Sequence, residues 1–241
     1  LHLSLRRQRQ MCIRDRSMLF VGGTASGKTT SLNACSLFLP WQHKIVSIEE
    51  TRELNLPHPN WIPGCTRQGF GGESAGSGTK APGEVDMYDL LRAALRERPE
   101  YIIVGEIRGA EAYVLFQAKA TGHTTYSTFH ADSIQSLVHR LENKPIEIPR
   151  VLIPALDGIS IQIQTRVGGK RVRRNKGIIE IIGIDPHSHE LLTNEAFRWD
   201  NTVDEYIFTG KSYIFEKIMM KANLNRVETV SYTHLTLPTK A

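Results

Sequence analysis

The sequence predicts an α/β fold, a mainly parallel twisted sheet finished by an antiparallel β extension, on three observations. Short apolar runs alternate with helix-forming segments from Met18 to about residue 141. A glycine-rich turn joins the first run to the first helix. After Pro149 the alternation gives way to period-two patterning around a Gly-Gly pair. Strand–helix units require parallel strands with crossovers, and hairpins give antiparallel ones.

Each element follows from local pattern. Met18–Gly22 is an apolar run entering the glycine turn, as a buried parallel strand does. Residues 29–38 read as a helix stopped by Pro40. Residues 45–48 are a second β-rich run, closed by Glu49 and Glu50. Residues 55–83 are rich in Pro and Gly, with Gly69, Gly71, Gly72, Gly76 and Gly78 clustered, and predict a long mobile loop. Residues 84–98 place Val85, Tyr88, Leu91 and Leu95 at helical spacing, and Pro99 breaks that helix before the strand Tyr101–Val104. Residues 110–120 predict a helix, Thr124–Phe129 a strand and residues 133–141 a helix. Ile159, Ile161 and Ile163 then alternate with polar residues, Gly168-Gly169 turns the chain, and residues 171–174 and 177–184 return as a hairpin.

Composition bounds the function. The 241 residues are 40% hydrophobic, enough to bury a core and to exclude disorder. No apolar stretch approaches the roughly 18–20 residues that span a bilayer. Cys12, Cys35 and Cys65 have no paired spacing, which excludes a disulfide scaffold or a CxxC zinc site and fits a reducing cytosol. The net charge of +5 would suggest nucleic acid or an anionic membrane. Yet residues 1–17 hold five arginines against Asp15, residues 230–241 hold Lys240, and the interior is formally neutral. Neither tail has helical or strand periodicity, and no apolar signal core follows the arginines. Both resemble translated sequencing-adapter read-through, which makes 1–17 and 230–241 non-native tails around a domain of residues 18–229. The other reading is a basic arm that binds membrane or nucleic acid.

Gly22, Gly23, Thr24, Ala25, Ser26, Gly27, Lys28 and Thr29 match G-x-x-x-x-G-K-[ST] between a predicted strand and a predicted helix. Glycines let successive backbone N–H groups curl inward, and the helix N-terminus adds partial positive charge. Lys28 reaches the β- and γ-phosphates, the Thr29 hydroxyl can ligate Mg²⁺, and Thr30 completes the nucleotide-contacting set. Two acidic candidates end strands at the carboxyl edge, where parallel α/β sheets place ligand groups: Glu49-Glu50 and Glu106. His123 and His130 bracket a β-prone stretch, so His130 leaves its strand at that edge and can hydrogen-bond a γ-phosphate. His123 is either a nucleotide contact or a turn residue. The pair has no third ligand to support zinc. His187 and His189, beside Asp185-Pro186, read as a polar turn.

The segments GGTASGKTT, SIEETRELNLPHPNW and RPEYIIVGEIRGAEAYVLFQAKATGHTTYSTFHADSI, in that order and spacing, resemble the type II/type IV secretion ATPases. They are most like the archaeal branch that drives archaellum and type IV pilus assembly, from about Met18 to about Lys217. The resemblance implies a RecA-like P-loop NTPase core, preceded by a separate N-terminal domain, in a ring of six chains. It makes residues 22–29 the Walker A loop and Glu49 the catalytic glutamate of the Asp box, orienting the attacking water. Glu106 becomes the acid of an atypical Walker B on the Mg²⁺ side, and His123 and His130 mark the His box. The Asp box usually reads Glu-Asp, so Glu49-Glu50 leaves the assignment between neighbours open.

The family's N-terminal domain supplies arginines to a neighbour's phosphates. This chain is expected to lack that domain and to be truncated at its C-terminus. An arginine finger contributes about 10³–10⁵ in turnover. Arg108 either substitutes for it or forms an intradomain salt bridge. ATP and Mg²⁺, a homo-hexamer and an integral membrane platform protein are the implied cofactors and partners. Nucleic acid is not expected, and the implied location is cytoplasmic, at the inner face of the membrane. The alternatives are an oligomerising nucleotide-binding fragment with little turnover, or another P-loop enzyme such as a small-molecule kinase. A GTPase would need N-K-x-D, and Asn143-Lys144-Pro145-Ile146 lacks the Asp. The basic cluster Lys170, Arg171, Arg173 and Arg174 faces a membrane partner or is a solvated hairpin tip.

Overall fold

Short β-branched and aromatic runs can satisfy their backbone in the middle of a sheet, and the amphipathic segments between them cover its faces. The computed structural model describes residues 16–69 and 81–222. In chain order these form β1 (Met18–Gly22), α1 (Lys28–Ser36), β2 (Ile45–Glu49), β3 (Trp61–Cys65) and α2 (Met87–Arg96). There follow β4 (Tyr101–Val104), α3 (Glu111–Ala120), β5 (Thr124–Phe129), α4 (Ile134–Glu142) and a 3-10 helix, Arg150–Ala155. The chain then adds β6 (Gly158–Val167), β7 (Lys170–Ile184), β8 (Leu191–Asp200), β9 (Glu205–Phe208) and α5 (Tyr213–Ala222).

All the described strands join one sheet in the order β3-β2-β4-β5-β1-β6-β7-β8-β9. Neighbours from β3 through β6 are parallel, and β6 to β9 are antiparallel, the expected parallel core and antiparallel extension. Side chains alternate across the sheet. Leu19, Val21, Ile48, Ile102 and Phe129 pack with Leu91 of α2, Phe116 of α3 and Leu137 of α4. On the opposite face Phe20, Ile45, Tyr101 and Tyr126 pack with Leu32 of α1. Asp86 starts α2 with a reciprocal capping box: its Oδ1 accepts from the Asp89 N–H at 2.8 Å, and Asp89 Oδ2 faces the Asp86 N–H at 3.5 Å.

The structure departs from sequence expectation in three places. The long loop expected over 55–83 contains β3, an edge strand parallel to β2. Pro63 and Gly64 sit inside it and mask its periodicity, and an edge tolerates the N–H that proline lacks. Gly71, Gly72, Gly76 and Gly78, like residues 1–15 and 223–241, lie outside the described residues. Residues 191–222, to which local pattern assigns no element, add β8, β9 and α5. Long-range contacts hold them: Phe197, Phe208 and Phe215 cluster with ring centroids 5.1–6.2 Å apart. The buried Glu180 of β7 accepts from the Tyr213 and Ile214 N–H groups and from Asn194 Nδ2, closing the start of α5. Thirdly, the fold begins before Met18: Ser17 is buried, and Arg16 Nη1 donates to Asp157 Oδ1 at 2.9 Å. The polar turn at 185–189 is as expected, with Asp185 Oδ1 accepting from the His187 and Ser188 N–H groups. No described helix is long and apolar enough to cross a membrane.

Lys119, in the last turn of α3, is the uncommon core residue. Its Nζ is buried without a hydrogen-bond partner, 4.2 Å from the centroid of the Phe116 ring. Burial pushes its pKa down to about 7, opposed by the Asp157 charge. Between about pH 7 and the ordinary lysine value the unfolded chain therefore holds a proton that the folded chain lacks, so stability rises with pH across that window. Denaturant titrations at pH 7 and pH 9.5 should show this rise in the wild type and a flattened profile in Lys119→Met. In the same assay Leu91→Ala should cost about 2–5 kcal/mol at either pH, as a core truncation.

Candidate functional site

The loop between β1 and α1 is shaped by its glycines. Gly22 has φ +159°, and a Cβ there would stand 2.3 Å from the Gln162 carbonyl oxygen and 2.5 Å from Ser26 Oγ. Gly27 (φ +96°) and Ala25 (φ +57°) take the left-handed turn that aims the chain into α1. Ser26 Oγ and Lys28 Nζ both donate to the Gly23 carbonyl, at 2.8 and 2.9 Å. No side chain caps α1, so its first N–H groups are left for a ligand. Burial lowers the pKa of Lys28, with Arg108 acting the same way and Glu106 against it.

The ends of β2, β4 and β5 bring the predicted acids and one histidine to this loop. A cavity of about 230 Å³ is lined by Lys28, Thr29, Glu49, Glu106, Arg108 and Thr128, among others. Glu49 is 2% exposed. Its Oε1 accepts from the Glu53 and Leu54 N–H groups at 3.1 Å each, while Oε2 is buried and has no partner among the described residues. Gly105 makes room for it, since a Cβ there would stand 3.1 Å from Glu49 Cγ. Glu50 differs from its neighbour: its side chain is 55% exposed and accepts from Arg108 Nη1 at 3.2 Å.

Arg108 also donates through Nη2 to Glu106 Oε2 at 2.5 Å, so it forms the intradomain bridge rather than standing free. Glu106 Oε1 lies 3.1 Å from His130 Nε2, an ion-pair distance without an aligned hydrogen bond. Burial chiefly, then the Lys28 charge, lowers the His130 pKa, and Glu106 opposes them. Near neutral pH the ring is therefore uncharged, one nitrogen a donor and the other an acceptor.

Residues 22–30, Glu49, Glu106 and His130 thus stand at one edge of the sheet. His123 does not join them. It precedes Thr124, the first residue of β5, which pairs with Tyr101 at the start of β4. The length of β5, about 20 Å at 3.3 Å per residue, separates it from the loop. That placement fits its reading as a turn residue: its N–H bonds the Ala118 carbonyl after Gly122 at φ +99°. Two residues that sequence reasoning passed over help to build the site. Thr128 Oγ1 donates to the Gly105 carbonyl at 2.6 Å, tying β5 to the turn that carries Glu106. The Gln162 carbonyl of β6 packs against Gly22. The signal for Thr128 was its place one strand residue before Phe129; Gln162 had none, because only tertiary pairing brings it near.

The donor set suits a metal-bound nucleoside triphosphate: free helix amides and a lysine for phosphate, and a threonine hydroxyl and carboxylates for a hard cation. A family model described as "Type II/IV secretion system protein" matches residues 5–233. The chain is 44% identical over 218 residues to the protein MJ1287 of Methanocaldococcus jannaschii, covering 90% of this chain and 78% of that one. It is 33% identical over 174 residues to the type IV secretion system protein PtlH of Bordetella pertussis, covering 66% of this chain and 48% of PtlH. Among solved structures, it is similar to the VirB11 ATPase from the Brucella suis type IV secretion system, with a TM-score of 0.55 and 26% identity. That likeness covers 73% of this chain and 51% of the VirB11 chain, so this chain spans about half the length of PtlH and of VirB11.

The loop geometry makes a sharp prediction about its glycines. Gly22→Ala should destabilise the fold by about 1–3 kcal/mol through the backbone clash with Gln162. Gly23→Ala, whose Cβ meets nothing within 4 Å, should stay within about 0.5 kcal/mol of wild type. Urea unfolding of the two variants distinguishes them.

Proposed function

The chain belongs to the type II/IV secretion system protein family, and on that premise we propose that it binds and hydrolyses Mg-ATP as the motor domain of a hexameric assembly ATPase. The observation that carries this reading is Glu49 Oε2, a buried acceptor with no partner among the described residues, on a side chain that lines the cavity with Lys28 and Thr29. A carboxylate held through its other oxygen by two backbone amides cannot rotate freely, so Oε2 keeps a set direction. Such a group accepts a hydrogen bond from a water, aligns it on the γ-phosphorus and takes up its proton as the new P–O bond forms and the bond to the β,γ-bridging oxygen breaks, its electron pair leaving with ADP. The exposed, arginine-paired Glu50 lacks these features, which favours Glu49 as the base.

Lys28 would exchange the Gly23 carbonyl for the β- and γ-phosphates, following charge. Thr29, through its hydroxyl, and Glu106 would hold Mg²⁺, which when bound neutralises charge on the β- and γ-oxygens. The neutral His130, beside Glu106, could donate to the γ-phosphate and couple its presence to β5. For Arg108, engagement of a phosphate would require release from Glu50 and Glu106.

The domain proposed to do this is residues 18–229, extended by Arg16 and Ser17, which the fold includes. Similarity to PtlH and VirB11, a protein and an ATPase of type IV secretion systems, supports action as an ATPase of such a machine, and we set that action in the cytoplasm against an integral membrane platform protein. The M. jannaschii relative supports an archaeal affinity, and the pilus or archaellum setting is part of the proposal.

Steady-state phosphate release tests the assignment, on this chain and on the chain joined to the N-terminal domain of a relative. Glu49→Gln should lower kcat by about 10²–10⁴-fold with ADP affinity retained, and Glu50→Gln should not. The reverse pattern would move the base to Glu50. Equal turnover in both variants and the wild type would remove the carboxylate mechanism.

A further inference from the structure

The phosphate loop has a second concave side. Besides the carboxylate cavity, a cleft of about 620 Å³ is lined by Ser26, Gly27 and Thr30, and by Gln162, Arg173 and Tyr206 from β6, β7 and β9. This is a size typical of small-molecule sites, about 300–1,000 Å³. Arg173 lies across the loop: its Cδ is 3.4 Å from where a Cβ on Gly27 would stand. The two adjacent arginines of β7 are in different electrostatic states. Arg174 donates through Nε and Nη2 to both oxygens of Asp204, each at 2.7 Å, and Trp199 Nε1 holds the same carboxylate at 2.9 Å. The exposed Arg173 guanidinium has no acceptor among the described residues. On the far wall Asn175 takes the Tyr206 hydroxyl oxygen on its N–H and gives Nδ2 to Ser160 Oγ, leaving its buried Oδ1 without a partner.

We propose that Arg173 is a phosphate-binding residue supplied from within the chain, its guanidinium contacting the α- and β-phosphates of a nucleotide whose nucleoside occupies this cleft. The inference rests on the reading of residues 22–29 as a nucleotide site. The carboxylate cavity opens beside Lys28 and Thr29, and the second cleft opens beside Gly27 and Thr30. A phosphate row lying over the start of α1 therefore has its γ end in one and its nucleoside end in the other. The Arg173 side chain passes within van der Waals reach of Gly27, so its guanidinium is available for a charge-assisted contact to the inner phosphates. Arg174, locked by Asp204, fixes the strand that carries Arg173 and is a positioning residue. The basic hairpin is then, at this position, neither a membrane contact nor a solvated tip.

Fluorescence titration of the full chain with N-methylanthraniloyl-ADP, with inorganic pyrophosphate as competitor, tests this. Arg173→Ala should weaken both ligands by about tenfold or more, the loss expected for one charge-assisted contact. Arg171→Ala, which removes the same charge nearer the hairpin tip, should stay within about twofold, because exposed charges at a distance are screened. The melting temperature without ligand should be unchanged in Arg173→Ala, while its rise with ADP shrinks, a combination that a merely structural role would not give. Wild-type affinity in Arg173→Ala, with binding lost in Lys28→Ala, would overturn the proposal and leave the nucleotide site standing. Weakened ADP with unchanged pyrophosphate would overturn the phosphate contact. No ADP binding by the wild type, or wild-type binding by Lys28→Ala, would remove the nucleotide reading and this inference together.

Discussion

Parallel register governs this molecule. β2, β4, β5 and β1 are hydrogen-bonded side by side with Ile48 opposite Val104, Val104 opposite Ser127 and Val21 opposite Phe129. Their carboxyl ends therefore finish at one level, and Glu49, Glu106, His130 and the loop from Gly22 leave the sheet together. A slip of one residue in any strand would turn its side chains to the opposite face and take its functional group out of the cavity. The apolar clusters on both faces hold the register, and the chemistry at the edge depends on it.

At that edge the charges are organised by unequal burial. Glu49 is taken out of solvent and held by backbone amides, so it keeps one oxygen unsatisfied. Glu106 and Glu50 share Arg108 nearer the surface, where an ion pair contributes little to stability and can be exchanged for another partner. Lys28 rests on a carbonyl of its own loop. Each cation in the carboxylate cavity thus has a weak, replaceable partner, an arrangement suited to a site that must accept and release a polyanion. The antiparallel extension adds to this edge, since β6 packs its Gln162 carbonyl on Gly22 and β7 lays Arg173 over Gly27.

Much of this was legible locally. The apolar runs of β1, β2, β4 and β5, the helices between them and the β6–β7 hairpin follow from periodicity, because residue type over a few neighbouring positions marks each one even though the parallel strands pair with distant partners. The nucleotide loop was legible as a motif for the same reason. β3 was not, because Pro63 and Gly64 interrupt its pattern and its pairing with β2 supplies the order. β8, β9 and α5 were missed because their stability comes from Glu180 and the Phe197–Phe208–Phe215 cluster, groups far apart in sequence. His123 was grouped with His130 by motif, yet a strand runs between them, and opposite ends of a strand face opposite edges of a sheet.

The sequence by itself determined the α/β order, the phosphate loop and the acids that end β2 and follow β4, since these depend on residue type and spacing alone. Only the tertiary structure decided which of Glu49 and Glu50 is buried and which is paired, that Arg108 is bridged, and that Arg173 lies on the loop. Burial and charge pairing are properties of neighbours brought together across the sheet. Glu50 meets Arg108 over 58 positions, and Gly27 meets Arg173 through the β1–β6 and β6–β7 pairings. No local pattern encodes a desolvation that a distant strand imposes.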